Sequence, residues 1–288
     1  MKLGLHVNTF TWPGGDAEIG RTLARVAAEA EDAGFQRISV MDHVWQISMN
    51  GQEDEPMLEA YTTLGFLAHG TTRLELLAMV TAATYRAPGL LAKAVTTLDV
   101  LSGGRAWLGI GAGWNGEEAT GLGLSYGGTS ERFQRLEEVL QICLQMWGPD
   151  RSPYLGRHYA LASTLNSPGP VSKPRPRIMI GGAGEQRTLR LVAKYADACN
   201  IFGGPDAARK LAVLREHCER EERDYASIEK TAIAPLGLAD GGTEGLLKRL
   251  RVLHEMGFEA VHGHVGGVAT TDALQRIGAE VITEIESW

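Results

Sequence analysis

Eight short apolar runs recur along this 288-residue chain, separated mostly by stretches whose apolar residues repeat with helical period. Several runs end in small, polar or histidine residues: Leu5-His6-Val7-Asn8, Met41-Asp42-His43, Met79-Val80-Thr81, Gly109-Ile110-Gly111-Ala112-Gly113-Trp114-Asn115, Ile180-Gly181-Gly182-Ala183-Gly184 and His262-Gly263-His264. Alternating strand and helix units of this kind predict an α/β fold, a (β/α)8 TIM barrel with loop insertions at its C-terminal face. In that barrel the carboxyl ends of all the strands meet at one face, so residues far apart in the chain line one pocket.

The pattern places strands at about 3–7, 37–41, 74–80, 105–110, 177–180, 198–202, 231–236 and 260–265. The first helix carries Ile19, Leu23, Val26, Ala27 and Ala30 on one face, with Asp16 as its expected N-cap and Gly34 closing it. Pro88 opens another helix, and Ser102-Gly103-Gly104 ends it. Gly111 to about Thr129 reads as a glycine-rich loop. Residues 148–176 break the rhythm with prolines and read as an insertion, with a small hairpin near 154–159. It has too little apolar content for a core of its own, so one domain over residues 1–288 is expected.

Composition narrows the function. The net charge is −7, and the only basic cluster, Lys173-Pro174-Arg175-Pro176-Arg177, is short and broken by prolines. Neither nucleic acid nor an anionic membrane is an expected partner; a small-molecule substrate is. Cys143, Cys199 and Cys218 are widely spaced and odd in number, which suits reduced thiols in a cytoplasmic protein. No signal-peptide pattern opens the chain, and no run of about 18 apolar residues exists to span a membrane.

The strand ends carry the chemistry. Gly181-Gly182-Ala183 lies between a strand and a helix, where glycines let backbone N–H groups converge on an anion. Asn200-Ile201-Phe202-Gly203 forms a second turn beside it, in the usual phosphate position of this barrel. On the residues alone, the first run serves equally as a plain tight turn. Gly109-Ile110-Gly111-Ala112-Gly113 imitates a dinucleotide fingerprint, but position 114 is Trp114 where the third glycine would stand, so that reading is rejected. Small residues there still leave room for a flat ring. His43 ends the second strand, and its neighbour Asp42 either fixes the imidazole tautomer or caps the next segment. His262 and His264 are two apart on a strand and face the same side. Such a pair suggests a metal, but no further ligands gather around it in the sequence, and no metal is assigned. Trp12, Trp45 and Trp114 follow strands directly and are expected, with His264, to wall the substrate end of the pocket.

Taken as a set, these motifs resemble the luciferase-like monooxygenase superfamily, and more narrowly its branch that uses the deazaflavin coenzyme F420. The resemblance rests on Met41-Asp42-His43, the run from Val80 to Lys93, and the run from Thr97 to Arg105. Met57 to Phe66, Gly111-Ala112-Gly113-Trp114 and Ile180 to Glu185 add to it. It covers about residues 1–225. It implies a ring cradled by a bulged third strand, often through a non-prolyl cis peptide, which maps to Met79-Val80 with Thr81 beside it. It implies a ring-facing histidine, His43, phosphate turns at Gly181 to Ala183 and Asn200 to Gly203, and a homodimer. Some sugar-phosphate dehydrogenases of this branch carry a catalytic Glu after the fourth strand. Trp114 follows the glycine motif here, so that role is expected to be vacant.

The expected activity is hydride transfer between the deazaflavin C5 and a small organic substrate, with His43 steering proton or charge. An FMN-dependent monooxygenase on the same barrel and a non-catalytic flavin-binding relative are the alternatives.

Overall fold

The computed structural model describes residues 1–288. Its elements follow the expected alternation: β1 (Lys2–Val7), α1 (Ile19–Asp32), β2 (Arg37–Val40), α2 (Ala60–Gly70), β3 (Glu75–Ala78), β4 (Thr81–Ala82), α3 (Pro88–Ser102), β5 (Trp107–Gly111), α4 (Gly116–Gly121) and α5 (Thr129–Trp147). The second half holds β6 (Tyr154–Leu155), β7 (Ala160–Leu161), β8 (Arg177–Gly181), α6 (Thr188–Tyr195), β9 (Ala198–Phe202), α7 (Ala207–Arg220), β10 (Glu229–Ile233), α8 (Gly242–Glu255) and β11 (Ala260–Gly263). A C-terminal helical stretch starts at Ala273.

The main sheet runs β3-β2-β1-β11-β10-β9-β8-β5-β4, parallel throughout. β3 and β4 are two halves of one strand, broken at a cis peptide between Met79 and Val80. A parallel bridge from Leu76 to Ala106 closes the ring. The result is the (β/α)8 barrel. The sequence pattern missed the break and read one strand from 74 to 80.

Helix α1 buries Ile19, Leu23, Val26, Ala27 and Ala30, the face set by its apolar spacing. Asp16 is not its cap. A short 3₁₀ turn, Asp16–Glu18, intervenes, and no side chain caps either piece. Pro88 begins α3, and Gly103, at φ 68°, ends it in the left-handed region that glycine favours. No helix is long and apolar enough to cross a membrane.

Between sheet and helices lies one cluster of 62 buried apolar residues. The insertion pairs β6 with β7 in an antiparallel hairpin. Glu138 of α5 accepts the N–H groups of Arg157, His158 and Tyr159 at its turn, and Asp99 of α3 accepts those of Val171 and Ser172. Two carboxylate–amide anchors, a buried one at Asp99 and a half-buried one at Glu138, therefore hold a segment that has little core of its own.

The amino-terminal end of the barrel is plugged by charge. Arg37 is fully buried, donates to Glu75 and to both oxygens of Glu229, and lies over Trp107 at 4.2 Å. Arg177 covers the same ring at 4.1 Å. His262 occupies this interior too, 3.5 Å from Arg37, where Gly4 leaves it room.

Candidate active site

A cavity of about 520 Å³ opens at the carboxyl ends of the strands. β1 contributes His6 and, just beyond it, Asn8; the end of β2 contributes Asp42 and His43. Met79, Val80 and Thr81 enter from the broken strand, and Gly111, Ala112, Gly113 and Trp114 from the end of β5. Gly181 and Gly182 follow β8, Asn200, Ile201 and Phe202 end β9, and His264 follows β11. The fold thus gathers most of the residues singled out from the sequence.

Four of them lie elsewhere. Trp12 packs edge-on against Phe10, 5.6 Å between ring centroids, beside the core. Trp45 covers Gly121 of α4, where a Cβ would sit 2.1 Å from its indole. Neither walls the cavity: Trp12 turns to the core beneath its loop, and Trp45 lies on the face of α4 that Gly121 leaves open. Ala183 packs against the outer core, and Gly203 faces Leu253 and Ala234. Of the three tryptophans, only Trp114 stands at the mouth, 59% exposed and 5.4 Å from the His43 ring.

The glycines around the broken strand have a local cause. A Cβ at Gly109 would lie 2.0 Å from the carbonyl oxygen of Ala78. One at Gly181 would lie 2.8 Å from Val80, and one at Gly111 would lie 3.1 Å from it. These residues are small so that Val80 can project between β5 and β8 into the cavity. The floor that results is a single apolar side chain on a flat patch of backbone.

His43 is positioned by a residue that the sequence reading passed over. Glu118, fully buried, lies 2.6 Å from His43 Nδ1. The same carboxylate accepts the Tyr85 hydroxyl at 2.7 Å and the backbone N–H groups of Val44 and Trp45 at 2.6 and 3.1 Å. Burial alone would raise its pKa; the hydrogen bonds from His43, Tyr85 and Trp45 outweigh burial and hold it below the ordinary glutamate value. An ionised Glu118 makes Nδ1 the protonated ring nitrogen and leaves Nε2 available to the cavity.

Asp42 has neither of its expected roles. Both of its oxygens are taken by the Arg86 guanidinium, at 2.5 and 2.9 Å, and Arg86 also binds Glu59. Position 114 is tryptophan, but Glu118 supplies a carboxylate four residues on, behind the histidine rather than in the cavity wall. One signal was present: Asn115-Gly116-Glu117-Glu118 is a capping pattern, and the Asn115 side chain does cap α4 by accepting the Glu118 N–H. The predicted loop from Gly111 to Thr129 therefore contains a helix.

Deeper in the cavity, burial and then His264 push His6 down to about 4, so it is neutral at physiological pH and bonds Ser39 at 2.9 Å. His262 and His264 face the same interior one layer apart. No group of three or more His, Cys, Asp or Glu side chains is arranged to hold a metal ion.

The profile of the luciferase-like monooxygenase family matches residues 1–259. The chain belongs to this family. Among relatives of this luciferase-like barrel is a protein of Kineococcus radiotolerans described as an F420-dependent glucose-6-phosphate dehydrogenase. It is 30% identical over 235 residues, which cover 78% of this chain and 66% of that protein. The chain thus spans just under two thirds of that relative's length. The coenzyme F420 dependent tetrahydromethanopterin reductase of Methanopyrus kandleri superposes with a TM-score of 0.81 at 16% identity, covering 98% of this chain and 99% of the other. The oxygenating constituent of 3,6-diketocamphane monooxygenase from Pseudomonas putida, solved with FMN, superposes at 0.79 and 16% identity, covering 99% and 98%. At these identities the two superpositions speak for the luciferase-like fold alone.

Proposed function

We propose that this protein is a coenzyme F420-dependent oxidoreductase that moves a hydride between the deazaflavin and a small organic substrate. The observation that carries the reading is the juxtaposition of Val80, seated between Gly111 and Gly181, with a histidine whose tautomer Glu118 fixes. A flat ring fits the apolar floor at Val80 and Ala112. The anionic tail fits the turn after β8, where the N–H groups of Ala183 and Gly184 have no backbone partner and His217 braces the loop through the Glu185 carbonyl. The bound deazaflavin supplies the carbon that gives or takes the hydride. His43 Nε2 holds or removes the proton that accompanies it, while Tyr85 and Glu118 keep the imidazole oriented. The description of the Kineococcus relative supports F420 over FMN.

Titration with oxidised F420 and FMN in parallel, followed by fluorescence quenching, tests the assignment. Micromolar F420 affinity with weaker FMN binding is expected. Equal or tighter FMN binding overturns it in favour of a monooxygenase.

The turn gives a second expected result. Gly182 has φ 119°, a conformation that L side chains rarely adopt. Gly182→Val should distort the turn at a local cost of about 1–3 kcal/mol and weaken F420 binding roughly tenfold or more. The circular dichroism spectrum should stay native. Unchanged affinity would put the anionic tail elsewhere.

Self-association belongs to the same proposal. α2 and α3 are packed neighbours and expose Phe66, Leu90 and Leu101, supporting an isologous patch. Light scattering should give about twice the 31.1 kDa chain mass, and a monomer at micromolar concentration counts against a homodimer. The three cysteines are buried and unpaired, which supports a reducing, cytoplasmic setting.

A further inference from the structure

We infer that the substrate of this barrel is uncharged and mainly apolar, and that the protein does not accept a phosphorylated one. The inference rests on the cofactor reading above and narrows it.

No lysine or arginine lines the cavity. The cations around it are committed elsewhere. Arg86 is held by Asp42 and Glu59. Arg132 donates to the carbonyls of Gly113 and Gly127 and stacks on Tyr126. Arg209 and Lys210 both bind Glu185. Arg187 has no carboxylate within ion-pair reach, but it lies over Phe133, beside the turn that suits the cofactor tail. The one anion-friendly region is thus at the cofactor end.

The other end is built differently. Asn8, Ile47, Met49, Asn50, Trp114 and His264 surround it. Asn8 donates to the Asn50 side-chain oxygen at 3.1 Å, and Asn50 donates to Met41 sulfur. That leaves the Asn8 side-chain oxygen to accept from a substrate hydroxyl. Met49 and Trp114 are 72% and 59% exposed, a large apolar rim with nothing above it. Asp42 in the wall is neutralised by Arg86, so the carboxylate that sets the sign of the local field is Glu118, behind His43. A phosphate held here would lose its water without gaining a cation, which is costly, whereas an apolar alcohol or ketone would gain from burial. The Kineococcus relative, named for glucose 6-phosphate, makes the contrast testable.

F420 binding is measured first, by fluorescence quenching; failure there removes the cofactor reading alone. Calorimetry then titrates cyclohexanol, cyclohexanone and glucose 6-phosphate into both the F420-loaded and the free protein, so that the result does not depend on turnover. The expected result is millimolar or tighter binding of a neutral probe and none of the phosphate. Met49→Arg, at an exposed position that tolerates the change, should bring in glucose 6-phosphate binding at least roughly tenfold above wild type, the order expected of a charge-assisted contact, and weaken the neutral probes. Glucose 6-phosphate binding to wild type as tightly as cyclohexanol overturns the inference. So does a wild type that binds no neutral probe, or a Met49→Arg variant that still refuses the phosphate.

Discussion

Replacing His43 by alanine should lower turnover by about 100-fold or more, the usual contribution of a positioned acid–base group. Its Nδ1 is tied to Glu118 at 2.6 Å, so the ring cannot swing away, and Nε2 is the remaining nitrogen for chemistry. The side chain is 15% exposed and lines a cavity rather than filling a core, so stability should change little. Single-turnover oxidation or reduction of the deazaflavin at matched cofactor saturation reads the effect. A variant within a few-fold of wild type would make His43 a binding or packing residue. Glu118→Gln is the companion test. It keeps the size of the side chain but puts donors where Tyr85 and the His43 N–H now donate, so it should lose part of the same activity through misplacement of the ring. F420 affinity should hold in both variants, which separates their role from that of the anion turn.

How much of this was legible in the sequence depends on the kind of signal. Period and strand-end composition are local, and they placed the eight barrel strands and most of the cavity wall. The break at Met79-Val80 leaves no trace in apolar spacing; only the family resemblance pointed to it. Pairings across the barrel were not legible at all. Asp42 and His43 are adjacent in sequence, yet the first binds Arg86 and the second binds Glu118, 75 residues away. Which carboxylate serves the histidine depends on where α4 comes to rest. Trp12 and Trp45 were read from their place after strands, but Trp12 turns to the core beneath it and Trp45 to the α4 backbone at Gly121. The glycines were read as room for a ligand. Three of them, Gly109, Gly111 and Gly181, instead make room for the protein's own bulge.

The largest effect on stability should come from the opposite end of the barrel. Arg37→Leu is expected to cost about 3–5 kcal/mol, because it leaves buried charge without its main partner. Arg37 is 1% exposed and makes both Glu229 contacts at 2.9 Å, while Lys2 and Arg177 reach that carboxylate only at 3.7 and 3.2 Å from more exposed positions. Burial would raise the Glu229 pKa, but Arg37 and the neighbouring cations hold it below the ordinary 4.5. A carboxylate held low in the folded state contributes fully above its unfolded pKa. The stabilisation should therefore be intact above pH 4.5 and fade as the pH falls through the lower folded value. Urea and thermal unfolding at pH 7 should show the loss as a drop on the order of 10 °C in Tm. The double variant Arg37→Leu with Glu229→Met should recover part of it, since replacing both members of a buried pair by apolar groups is often near neutral. F420 affinity should not move, because the cluster sits at the face of the barrel where fold stability, not chemistry, is built. A single variant within about 1 kcal/mol of wild type would mean that Lys2 and Arg177 neutralise Glu229 without help, and that Arg37 is there for its stacking on Trp107.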